Sequence, residues 1–213
     1  MTSINISVYH IIHFTELIDK SFWSFEKLLA SDFFRDNKNE DVRKMIFMNM
    51  TSQILIYTDS LRDEFYNHFN IKKADTEDEI SKIEEISEVL KPVFQKINEW
   101  RDIKNFSNHV LAHNLRIEKN GATSVFIDRG ISGYNIPERI ADFAFLIKCT
   151  YLIKKVVYDV FEKEYIIVDE EINSEKYAAK PLLTERDYDK EYKNLINDIV
   201  VVQANIKENL SKR

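Results

Sequence analysis

The sequence predicts an all-α protein: a helical bundle of four to five long amphipathic helices with one small β-hairpin inserted. Three observations carry this. The 213 residues include three glycines and three prolines, too few for the many tight turns of a β-sandwich or a doubly wound α/β domain. Apolar side chains recur every three or four residues along most of the chain. Polar breaks and helix-start signals separate these runs. Hydrophobic residues at 44% and charged residues at 31% suit a globular chain and argue against a disordered one. The length suits a single domain over 1–213.

The elements follow in order. Residues 4–34 place Ile4, Val8, Ile11, Ile12, Phe14, Leu17, Ile18, Phe22, Phe25, Leu28 and Leu29 at helical spacing. A polar break at 36–40 precedes a second helix over 41–69, with Val42, Ile46, Met50, Ile54, Tyr57, Leu61 and Phe65 on one face. Thr76 and Glu79 form a capping box for the third helix, and acidic Glu77 and Asp78 suit its positive end. Ile80, Ile83, Leu90, Phe94, Ile97 and Trp100 share its apolar face, and Pro92 is expected to kink or split it. After His113 the pattern alternates, and Asn120-Gly121 between alternating runs predicts a hairpin across 115–128. Pro137 suits the first turn of a fourth helix running to about 164, with Ile140, Phe143, Ile147, Tyr151, Val156 and Val160 as its apolar side. Residues 165–183 read as irregular, with 166–168 a candidate short strand. Thr184 and Asp187 start a last helix over 185–210.

Several function classes fall away. The single cysteine, Cys149, excludes an internal disulfide and a cysteine-rich zinc site, and its apolar surroundings predict a buried, inert thiol. His10, His13, Glu16 and Asp19 break the early apolar run, so no signal peptide is expected. Lys148, Lys154 and Lys155 interrupt the most apolar stretch, 140–161, too often for a membrane span. The expected location is the cytoplasm. A net charge of −6 argues against broad non-specific DNA binding but leaves room for a local basic site. The acidic run from Asp75 to Glu88 reads as a solvated helix face, and the helically spaced aromatics as core.

The segment from Trp100 to Arg116 gathers polar and ionisable residues on what should otherwise be a core helix. Asn105, His109 and His113 are four apart and Arg116 three further on, so they lie near one face. A helix end near Asn114 would favour the imidazolium form of His113 through the helix dipole. Such a group can grip a phosphate and move a proton.

Ser107-Asn-His-Val-Leu-Ala-His-Asn114 resembles the signature of the HEPN superfamily, the helical domains found in bacterial toxins, abortive-infection proteins and RNA-cleaving nucleases. Its hallmark is an arginine, often followed by a polar residue, with a histidine after four to six intervening positions, commonly in an Ala-His pair as at Ala112-His113. The resemblance covers about 17 residues and implies a metal-independent endoribonuclease, with no cofactor, in which two protomers line one cleft. It implies that His113 transfers a proton at the ribose 2′-hydroxyl and that Asn108 is the motif's polar residue. Phage defence, an RNA substrate and an antitoxin partner protein go with it.

The motif arginine is missing. Phe106, Ser107 and Asn108 occupy its window counted from His113. Counted from His109, only Lys104 is basic there, and Arg101 lies one position outside. The catalytic set is therefore His113, with His109 as the rival histidine, and Arg101 and Arg116 as substitute cations. Asn105, Asn108, Lys104 and Asn114 are the substrate-binding set. Two other readings stand beside this one. A non-catalytic helical interaction protein of the same architecture accounts for the missing arginine. A bundle metal site would join His10 and His13 to His109 and His113, with Glu16 or Asp102.

Overall fold

The computed structural model describes residues 2–35, 40–112, 116–119, 122–125 and 134–177, together with 193, 194 and 197. By its contacts the chain divides into Met1–Ile172 and Asn173–Arg213. In the second unit residues 173–177, 193, 194 and 197 are helical. The rest of the expected 185–210 helix, with its Thr184 start, lies outside the described residues.

The described chain is mostly helical, as its turn-poor composition predicts. Helix α1 spans Ser3–Leu29, α2 Asp32–Arg35, α3 Glu40–Asp63, α4 Glu77–Ile97, α5 Ile103–Ala112 and α6 Ile140–Tyr177. A π-helical turn, Glu64–His68, extends α3, and a 3₁₀ turn follows at Ile71–Lys73. Strands β1, Arg116–Lys119, and β2, Ala122–Val125, pair antiparallel with Arg116 opposite Val125. Asn120 and Gly121 between them lie outside the described residues.

One core runs through the first unit. Helix α1 buries Ile4, Val8, Ile11, Ile12, Ile18, Phe22 and Phe25 at the spacing read from the sequence. Ile54, Leu55 and Leu61 of α3 belong to the same cluster, with Ile83, Ile86, Leu90, Phe94 and Ile97 of α4 and Phe143, Leu146, Ile153, Val157 and Phe161 of α6. Phe65 stacks on Phe94 with centroids 4.0 Å apart, and Phe69 meets Phe161 edge-on at 5.9 Å. Buried Thr15 and Thr58 return their hydroxyls to the carbonyls of Ile12 and Ile54, so neither leaves a donor idle. Lys154 donates to Glu16 at 2.8 Å and Lys82 to Glu164 at 3.1 Å, which ties α6 to α1 and α4. Cys149 is buried and free, and burial pushes its thiol up.

Thr76 caps α4 by accepting from the backbone N–H of Glu79 at 3.1 Å. The reciprocal half of the box differs. Glu79 reaches back to the N–H of Asp75 at 2.7 Å, and its other oxygen accepts from Thr2, which itself caps α1. One carboxylate thus joins two helix starts.

Other boundaries need correction. The first helix ends at Leu29, with α2 separate. Helix α3 is only partly buried before Thr51, and Val42 is 44% exposed. Pro92 lies inside an α4 that runs unbroken to Ile97. Helix α6 starts at Ile140 rather than Pro137, because the Asp142 carboxylate accepts from the N–H groups of Glu138 and Arg139 and sets the first turn there. Its buried face also differs, since Ile140 and Tyr151 are 47% and 65% exposed. The stretch after 164 is helical to Tyr177 rather than irregular, past a kink at Phe161. Phe161 and Val168 are buried and Tyr165 partly so, a helical spacing that outweighs the strand preference of Ile166, Ile167 and Val168.

Candidate functional site

The segment singled out in the sequence is a helix of its own, not the tail of α4. Asn98 ends α4 by donating its N–H to the Phe94 carbonyl at 2.8 Å. Asp102 then starts α5. Its carboxylate accepts from the Asn135 N–H at 2.8 Å and from the Asn105 side-chain amide at 3.2 Å, while its carbonyl accepts from the Phe106 N–H. Asn135 in turn donates to the Glu99 carbonyl. Ile103, Phe106 and Ser107 form the buried face of α5 and fix its rotation, which leaves Lys104, Asn105 and Asn108 exposed.

The candidate residues separate accordingly. Lys104 and Asn108, one turn apart, line a groove of about 470 Å³. Asn105 is engaged with Asp102 and does not line it. Arg101 is exposed in the turn before α5. His109 lies in α5 and Arg116 opens β1, but their side chains are outside the described residues, as are His113 and Asn114 entirely.

The opposite wall comes from the end of α3 and its π-turn: Asp59, Arg62, Asp63 and Glu64, with Tyr66 and Asn67 beyond. Phe14 of α1 closes one side. The π-turn bond, from the Phe69 N–H to the Glu64 carbonyl at 2.8 Å, inserts one residue into the helical register. Glu64 thereby faces α1, where Nδ1 of His10 lies 3.3 Å from its carboxylate.

The charges are unevenly satisfied. Burial raises the Glu64 carboxyl, but hydrogen bonds from His10 and Ser7 outweigh it and hold it below the ordinary carboxylate range. The hydrogen bond to Glu64 raises His10. Half-burial pushes Asp59 up, against the pull of Arg62 and Lys104. Asp63 accepts from the Asn67 amide at 2.7 Å and lies 3.7 Å from Nε2 of His68. Arg62 is the exception: its Nε and Nη1 are buried and no hydrogen bond reaches them.

The sequence reading missed Arg62, Asp59 and Glu64. They sit in an ordinary polar stretch at the end of α3 and in its π-turn, and only packing between helices distant in sequence brings them to the groove. The alternative metal site joined His10 and His13 to His109 and His113; His10 is paired with Glu64 and His13 stacks on Tyr9 at 5.7 Å, while the side chains of the other two lie outside the described residues. Among the described residues no group of three or more histidine, cysteine or carboxylate side chains is placed to hold a metal. No family model, no curated protein and no solved structure matches the chain.

Proposed function

We propose that the chain is a HEPN-like helical protein acting on RNA from the α5 groove, as a metal-independent endoribonuclease or toxin of the phage-defence kind. The observation that carries this reading is that Lys104 and Asn108 of the motif helix share a groove with Arg62, a cation with idle buried donors. No arginine stands in the motif window, and Arg62 of α3 lines the same groove as Lys104 and Asn108. In this reading His113 takes the proton of the 2′-hydroxyl as it attacks the adjacent phosphate, and the leaving oxygen regains one from a second imidazole. Two protomers supply the pair. The cations stabilise the charge that gathers on the phosphate. The proposed place of action is the cytoplasm. No helix among the described residues is long and apolar enough to cross a membrane.

A second reading is a non-catalytic interaction protein, its partner an antitoxin or another copy. It is favoured by Phe145, Tyr151 and Leu152 on α6, which are 45%, 65% and 46% exposed.

One experiment separates them. Purified protein is incubated with structured and single-stranded RNAs in excess chelator. Cleavage by the wild type that is lost in His113→Ala, with an unchanged circular dichroism spectrum, supports the nuclease. His109→Ala and His10→Ala test the rival imidazoles. Intact RNA throughout leaves the interaction protein.

A further inference from the structure

The groove beside α5 is lined by three carboxylates, Asp59, Asp63 and Glu64, and by two cations, Arg62 and Lys104. Glu64 is held by His10 and Ser7. Asp63 is held by Asn67, with His68 close by. Asp59 remains, half-buried, facing both Arg62 and Lys104. Arg62 has donor capacity to spare, for its Nε and Nη1 are buried without a hydrogen bond. A guanidinium stays charged at any physiological pH and carries five N–H donors. Idle buried donors cost free energy that an oxyanion returns. Lys104 and Asn108 add ammonium and amide donors from the facing helix, and the space between is about 470 Å³. Phe14 and half-exposed Tyr66 line the same groove, and aromatic side chains are the groups on which bases stack.

We infer that this groove is a phosphoryl-binding site anchored by Arg62, with Lys104 and Asn108 closing on the same oxyanion, and that its ligand class is the phosphodiester of single-stranded RNA. The inference rests on the proposed RNA function for the natural source of the phosphate, and on the groove alone for the anchor.

The test uses the full chain and two probes. One is inorganic phosphate. The other is a short, fluorescently labelled 2′-O-methyl oligonucleotide, whose blocked hydroxyl cannot attack, so that binding is read without cleavage. Anisotropy should show saturable binding of the oligonucleotide, with phosphate competing at higher concentration. Arg62→Gln should weaken it by about 10- to 100-fold, the loss of a charge-assisted hydrogen-bond set. Asp59→Asn should tighten it, a direction that a merely structural arginine would not produce. Lys91→Gln, in the separate groove between the π-turn and α4, should leave it unchanged. If Arg62→Gln fails to fold, Lys104→Glu, an exposed substitution, should still abolish binding.

Binding with this dependence while ordinary RNA stays uncut would leave the phosphoryl site standing and remove the nuclease reading. Cleavage of RNA with affinity and rate unmoved by Arg62→Gln and Lys104→Glu would do the reverse. Binding of inorganic phosphate, read by calorimetry, without any binding of the oligonucleotide would overturn the RNA assignment. A wild type that binds neither probe would overturn the site itself.

Discussion

An arginine kept for a ligand should cost the fold something. Arg62 is partly buried, and its Nε and Nη1 make no hydrogen bond. A buried donor left idle costs about 1–3 kcal/mol. Attraction to half-buried Asp59 returns at most about 1 kcal/mol for a pair of this exposure. Arg62→Met keeps most of the aliphatic stem and removes the idle donors, so stability should rise by about 1 kcal/mol. Asp59 loses a cation in this variant, but Lys104 still faces it. Urea unfolding followed by circular dichroism, at unchanged m-value, measures the difference. The same variant should lose oligonucleotide binding. A loss of more than about 1 kcal/mol would mean that the guanidinium braces the fold, and the reasoning from its idle donors would fail.

Phe94→Ala should cost about 3–5 kcal/mol in the same urea assay, because a fully buried ring that stacks on Phe65 at 4.0 Å leaves a cavity in close-packed surroundings; a loss under about 1 kcal/mol would contradict the core described. The His10–Glu64 pair predicts a pH dependence. His10 is raised above its ordinary 6.5, so its contribution is complete below 6.5 and fades as pH rises through the raised value. Glu64 is lowered below 4.5, so its contribution is complete above 4.5 and fades as pH falls through the lowered value. The pair is therefore strongest between those limits, and stability should fall by about 0.5 kcal/mol on going to pH 8, a size discounted for the exposure of His10. Glu64→Gln should flatten that slope, and a slope that survives it would assign the titration elsewhere.

The parts of this architecture written in local pattern were legible. Apolar spacing gives the buried face of α1, and the Thr76 side chain gives the start of α4. Long-range effects were not. The Asp102–Asn135 bonds that set α5 apart join residues 33 positions apart, and nothing near Asp102 announces Asn135. The helix past 164 follows from the burial of Phe161 and Val168, against a local Ile-Ile-Val run that favours a strand. The candidate site divides the same way. Lys104 and Asn108 were visible as polar residues one turn apart on a helix. Arg62 and Glu64 were not, because their role comes from a π-turn and from helices distant in sequence.

Whether the protein cuts RNA without a metal, as proposed, is tested most directly by the ends of the products. Attack by the 2′-hydroxyl leaves a 2′,3′-cyclic phosphate on one fragment and a free 5′-hydroxyl on the other, since the bond to the 5′ oxygen is the one that breaks. Purified protein in excess chelator should therefore release fragments that polynucleotide kinase labels without prior phosphatase treatment. His113→Ala should slow their release by about 10²–10⁴, the size of a lost acid or base. Fragments with 5′-phosphates, activity that needs a divalent ion, or RNA left intact by the folded wild type would contradict the account.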